Sequence, residues 1–184
     1  MIELININKS FGDNKVIRNF SCVIRDNKIT AISGASGCGK TTLLRIIMKL
    51  DKPDSGEVIY DGRISAVFQE HRLLPWATAI DNLNLIINYK DKSMRWLEAV
   101  ELAESADKYP SELSGGMNQR IAFARALAYE SDILIMDEPF QALDEDLKYR
   151  MVDLLKNEQN NRTVVLVTHE KDIIEKIADD VIYL

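Results

Sequence analysis

Cysteine is scarce: Cys22 and Cys38 are the only two in 184 residues, too few for a disulfide framework, and both read as reduced thiols of a cytosolic chain. Proline and glycine number four and eight, which excludes collagen-like and low-complexity classes. Basic charge is also in short supply. Lys and Arg total 23 against 29 acidic residues, for a net charge of −6, and they are scattered, which argues against a dedicated nucleic-acid face. No apolar run approaches the ~18 residues that a membrane span needs, so any membrane association is expected to come through a partner. Met1-Ile2-Glu3-Leu4 has no basic n-region, and no signal peptide is expected. What remains is 46% hydrophobic and 28% charged, an ordinary soluble mixture in a length that suits one domain with a sizeable core.

The stretch around which the chain is organised is Gly34-Ala35-Ser36-Gly37-Cys38-Gly39-Lys40-Thr41-Thr42. It follows an apolar strand pattern, 28–33, and precedes a helical one, 43–48, the context in which G-x-x-x-x-G-K-[ST] means a phosphate-binding loop. Glycines let successive N–H groups point inward at phosphate oxygens, and the positive end of the following helix adds to that field. Lys40 would reach the β- and γ-phosphates, and the Thr41 hydroxyl would ligate Mg²⁺. A bare strand-to-helix turn could carry glycines too, but not with the Lys and Thr in register. The chain is expected to bind a nucleoside triphosphate.

In chain order, 2–7 reads as a first strand, 9–14 as a turn-rich link and 15–24 as a second strand. Phe11 in that link could anchor the turn or offer a face to a purine. Asp26-Asn27-Lys28 suggests a hairpin into the phosphate-loop strand. A second hairpin is expected between 57–62 and 63–68 around Asp61-Gly62, with Gln69 at its end as a solvated residue or one reaching a metal or water. From Glu70 to Ser111 the pattern turns helical. Thr78 and Ser93 read as helix starts, and Ile80, Leu83, Ile86 and Ile87 recur at helical spacing. Ser114-Gly115-Gly116 opens another helix with a stripe of Ile121, Ala124 and Ala128; it could be a second anion site or a flexible entry.

The run 132–138 is a buried parallel-strand pattern ended by Asp137 and Glu138. Carboxylates there sit on the ligand edge of an open α/β sheet. Asp137 suits a metal shell, and Glu138 suits a general base or water-positioning role. The run 163–168 repeats the design, ending at His169, and 180–184 reads as a closing strand.

With these pieces in place the chain resembles the nucleotide-binding subunit of ABC transporters along essentially its whole length. The phosphate loop, Gln69, Leu113-Ser114-Gly115-Gly116-Met117, Asp137-Glu138, Ala142-Leu143-Asp144 and His169 follow that family's order. The resemblance implies an α/β P-loop NTPase core with an N-terminal antiparallel β subdomain and a helical subdomain at about 70–115, all in one domain, 1–184. It implies that Phe11 stacks on adenine and that Gln69 senses Mg²⁺ and the γ-phosphate. Ser114, Gly115 and Gly116 would contact ATP of the opposite subunit, Asp144 would lie at the dimer interface, and His169 would hold the γ-phosphate and attacking water. ATP would then be sandwiched in a head-to-tail dimer at the cytoplasmic face of the membrane. Hydrolysis there would drive a transmembrane permease, with a substrate-binding protein as an indirect partner. Leu73, Leu74, Pro75 and Trp76 are candidates for permease contact or for packing within the domain. Phe68-Gln69-Glu70-His71-Arg72-Leu73-Leu74-Pro75-Trp76 is similar to the nitrate/sulfonate/taurine importer group.

Some features depart from the family. The spans from Gly56 to Gln69 and from Gln69 to Ser114 are short, Gln141 replaces a smaller residue, and there is no room for a regulatory C-terminal domain; a compact, unregulated subunit is expected. Rival readings are a P-loop small-molecule kinase, against which Ser114-Gly115-Gly116, Asp137-Glu138 and His169 speak, and an ABC ATPase of an exporter or other complex. DNA-repair and ribosomal ABC proteins carry long coiled-coil insertions or tandem domains, for which this length leaves no room.

Overall fold

A computed structural model describes residues 1–87 and 89–184; position 88, inside the stretch expected to be helical, lies outside the described residues. The chain forms two compact units. The first takes Met1–Ile64, Ser131–Asp137 and Gln159–Leu184, and the second takes Ser65–Glu130 and Glu138–Glu158.

The first unit opens with β1 (Ile2–Phe11), β2 (Asn14–Ile24) and β3 (Ile29–Ser33), followed by helix α1 (Lys40–Ile47) and β4 (Ser55–Ile59). An antiparallel sheet runs in the order β2-β1-β4. Ile2 and Leu4 are buried at period two, and the pattern then skips to Ile7. The skip has a backbone cause: pairing shifts between Leu4 and Ile7, where Asn6 adopts φ 51 and its N–H donates to Ser21 Oγ at 2.8 Å. The expected link at 9–14 is mostly strand. Phe11 pairs with Asn14, and the chain reverses within Gly12-Asp13 alone.

A parallel sheet holds β3, β6 (Ile133–Asp137), β7 (Thr163–Val167) and β8 (Asp180–Tyr183) in the order β6-β7-β3-β8, with α6 (Lys171–Ile177) between the last two strands in sequence. Every residue of β6 and β7 is buried, as continuous apolar runs require in a parallel sheet. Both expected hairpins are corrected. Asp26-Asn27-Lys28 joins β2 to β3 across two different sheets, with the Asn27 N–H held by Thr163 Oγ1 at 3.2 Å. Glu57, Val58 and Ile59 pair with β1, whose second edge they complete. After Gly62, the Arg63 carbonyl instead accepts from the N–H groups of Asp132 and Ile133 at 3.0 Å. Strand β5 (Ile64–Val67) then carries the chain into the second unit.

That unit holds α2 (Ala79–Ile87), α3 (Lys90–Ala99), α4 (Gly115–Ala128) and α5 (Glu145–Asn157), with short 3₁₀ turns at Ala103–Ser105 and Pro110–Glu112. The segment at about 70–115 falls within it, and α4 and α5 belong to it as well. Regular helix starts at Ala79 rather than Glu70. Thr78 caps α2, its hydroxyl accepting from the Asp81 N–H at 3.3 Å and donating to Asp81 Oδ2 at 2.8 Å. Ser93 is not a cap. It lies inside α3, fully buried, and donates back to the Tyr89 carbonyl at 3.2 Å. The expected stripe on α4 is too narrow, because Gln119, Ile121, Ala122, Phe123, Ala124, Ala126 and Leu127 bury this helix on nearly every side.

Candidate functional site

In the first unit, parallel pairing sets Asp137 opposite Val167 and Ile32 opposite Val167. The C-terminal ends of β6, β7 and β3 therefore form one edge, which carries Asp137, the phosphate loop beginning at Gly34, and Thr168-His169 just beyond β7. Gly39, the N-cap of α1, sits at φ 108, and a Cβ there would lie 2.7 Å from Val16 Cγ1, so glycine is required twice over. No side chain caps α1 and no acidic residue occupies its first turn, which leaves its first N–H groups for an anion. Ala35, Ser36, Gly37 and Thr41 are exposed, while Gly34, Cys38, Lys40 and Thr42 are partly covered.

Lys40 Nζ donates to the carbonyls of Gly34 (2.9 Å) and Ala35 (2.8 Å), closing the loop on itself. Asp137 is buried, and burial is the main influence on its carboxyl, pushing its pKa up; a hydrogen bond from Thr41 and the charge of Lys40 pull the other way. A hydroxyl and a carboxylate joined in this way are hard oxygen ligands of the kind a divalent cation shares with phosphates. Among the described residues no group of three or more His, Cys, Asp or Glu could hold a metal without such help. His169 is exposed.

Beside the loop lies a cavity of about 480 Å³, whose lining includes Lys15, Val16, Arg18, Phe20, Gly37 and Cys38. Phe11 does not line it. Its ring is 54% exposed, with Lys9 Nζ 5.3 Å from its centroid, so it remains open to a stacking partner.

In the second unit, Gln69, His71, Gln119, Glu138, Gln141 and Ala142 line a small cavity of about 140 Å³. Glu138 adopts φ 48, a left-handed conformation rare outside glycine that marks functional turns. The residue after it is pinned by Gln119, whose buried amide donates to the Pro139 carbonyl at 3.1 Å. Sequence reading missed Gln119, which stands between two other polar residues, Asn118 and Arg120, with nothing local to mark it as the buried one. Ser114 is the exposed N-cap of α4, its side chain accepting from the Met117 N–H at 3.2 Å. Gly115 stands in open space, whereas a Cβ on Gly116 would meet the Ala142 carbonyl at 2.8 Å. Asp144 caps α5 through the Leu147 N–H at 3.0 Å. A third cavity, about 460 Å³, is lined by Leu74, Trp76, Ala77, Asp81, Asn84 and Leu85, with Trp76 74% exposed.

The family model described as ABC transporter matches residues 17–141. The aliphatic sulfonates import ATP-binding protein SsuB 2 of Pseudomonas fluorescens is 41% identical over 192 residues, covering 97% of this chain and 71% of its own. The corresponding Zymomonas mobilis protein is 38% identical, covering 100% and 81%. A sulfate/thiosulfate import ATP-binding protein of Pseudomonas syringae is 38% identical, covering 100% and 64%. Among solved structures, a dimeric post-hydrolysis ATP-binding cassette bound to ADP and Pi superposes with a TM-score of 0.90 at 34% identity, covering 100% of this chain and 94% of that one. A strand-edge phosphate loop with a carboxylate on its threonine, a serine-capped glycine pair at a helix start, and these relatives converge: the chain belongs to the ABC transporter family.

Proposed function

We propose that the chain is the ATP-hydrolysing subunit of an ABC importer for aliphatic sulfonates, working as a head-to-tail dimer at the cytoplasmic face of a membrane permease. The hydrogen bond between Thr41 and buried Asp137 beside the phosphate loop carries the nucleotide half of this reading. The relatives' names support the import half, and of the small anions that the sequence suggested it is the sulfonate they support. No helix among the described residues is long and apolar enough to cross a membrane. A substrate-binding protein would deliver the sulfonate.

In this reading the Gly34–Thr42 loop wraps the triphosphate, and Lys40 exchanges its two loop carbonyls for phosphate oxygens. Thr41, Asp137 and Gln69 would hold Mg²⁺, which would neutralise phosphate charge. Phe11 stacks on adenine. Ser114, Gly115 and Gly116 of the partner subunit close over the γ-phosphate, and Asp144 sits at the same interface. Glu138 takes a proton from the attacking water while His169 orients that water and the γ-phosphate; the new P–O bond replaces the bond to ADP. Trp76 and its neighbours face the permease.

The test is size-exclusion chromatography of Glu138→Gln with and without ATP-Mg²⁺. A monomer without ATP and a dimer with it are expected, with Ser114→Arg abolishing the shift. Full steady-state turnover by a species that stays monomeric would overturn the composite site and return the kinase-like reading.

A further inference from the structure

The segment between Gln69 and Thr78 has no regular secondary structure, yet two polar side chains hold it at five backbone positions. Asn82, wholly buried in α2, accepts the Leu74 N–H at 2.8 Å and donates to the carbonyls of Leu74 (3.3 Å), Ala77 (3.1 Å) and Thr78 (3.0 Å). Arg125, on α4, donates from Nη2 to the Arg72 carbonyl at 2.8 Å and the His71 carbonyl at 3.5 Å, and from Nη1 to Asn82 Oδ1 at 3.5 Å. Arg72 adopts φ 47, a conformation that a non-glycine residue keeps only where its surroundings impose it, and its guanidinium lies 3.8 Å from the centroid of Phe68. Burial works against the Arg125 charge, so these carbonyl bonds are the return on a costly placement.

The two ends of this linkage differ in kind. Helix α4 starts at Ser114, and the pinned segment leads directly into exposed Trp76. We propose that Arg125 is a positioning residue that makes the 71–74 loop an appendage of α4, so that engagement of Ser114 by nucleotide is delivered as a displacement at Trp76. The planar fork of Arg125 can hold adjacent carbonyls and Asn82 together, which a single ammonium cannot. This rests on the reading that Ser114 contacts the nucleotide of the opposite subunit.

The experiment uses Glu138→Gln with Trp96→Phe, which leaves Trp76 as the only tryptophan. Its emission is read on adding ATP-Mg²⁺, and the same samples are run on size-exclusion. The expected result is an ATP-dependent change in Trp76 emission that Arg125→Met abolishes while the ATP-dependent dimer still forms. If Arg125→Met does not fold, Arg125→Lys is read in its place, with the same loss expected. A dimer in which Trp76 never responds, or responds equally in the Arg125 variants, overturns the linkage. No dimer in the parent overturns the composite-site reading, and the linkage with it.

Discussion

The two units place their functional groups by different physics. In the first, the phosphate loop, Asp137 and Thr168-His169 hang from the ends of buried parallel strands, and backbone ladders set their register. In the second, Glu138, the Gln69–Trp76 segment and the start of α4 lie in turns and caps. There the positions are set by a few side chains, with Gln119 donating to the Pro139 carbonyl, Asn82 and Arg125 donating to the Leu74 and Arg72 carbonyls, and Ser114 accepting from the Met117 N–H. A ladder shares its load over many bonds, so one lost side chain barely moves it. A pin carries its load alone. The first kind of site should be broken by backbone insults and the second by side-chain deletions.

The largest effect is expected from a backbone insult at the phosphate loop. Gly39→Val forces a β-branched residue to φ 108 and drives its Cβ to 2.7 Å from Val16. Strain and overpacking each cost about 1–3 kcal/mol. Calorimetry should show no ATP binding, together with a lowered Tm. Retained binding would mean that the loop relaxes freely and that strand ends do not set its shape.

The mirror experiment deletes a pin. Gln119→Leu is nearly isosteric and suits a buried helix, but it strips the Pro139 carbonyl of its donor next to Glu138. The lost bond should cost about 1–3 kcal/mol. Misplacement of Glu138 should lower kcat on the order of 10–100-fold. KM for ATP should stay unchanged, since the phosphate loop is untouched. A rise in KM with kcat intact would erase the distinction between the units.

The same distinction explains what could be read from the sequence. Strands β3, β6 and β7, the phosphate loop and the acidic strand end were legible because local patterns encode them: apolar runs of strand length, glycines in register, carboxylates at a run's end. The antiparallel sheet was half legible. Its strands were visible, but Glu57–Ile59 pairs with a strand more than fifty residues earlier, and nothing near Asp61-Gly62 reports that the expected hairpin loses to it. The pins were illegible. Arg125 bonds a carbonyl 53 residues away and Gln119 one 20 residues away, and a polar residue within a helical pattern does not name its partner. Ser93 misled for a related reason: a serine before apolar residues reads as a cap, while here its hydroxyl is satisfied by the preceding turn of its own helix.

The smallest expected effect has the opposite sign to the others. Asp137 is buried, and burial raises its carboxyl pKa against the pull of Thr41 and Lys40, so the folded state holds this proton more tightly than the unfolded chain. Below the carboxyl's unfolded value both states are protonated and no cost arises. As pH rises past that value the unfolded chain ionises first, and the folded state loses relative stability until the pH exceeds the folded value. Asp137→Asn removes the titration while keeping the shape. Its Tm should equal that of the parent well below about pH 4. At neutral pH it should be higher, and the difference should widen as pH rises from the carboxyl's unfolded value toward its folded one. A difference independent of pH would show that Thr41 and Lys40 already neutralise the cost. The predicted widening with pH would mean that the ladder holds Asp137 in place at a loss. A strand end positioned by its neighbours can tolerate an unfavourable carboxylate in this way, and a residue held by one pin could not.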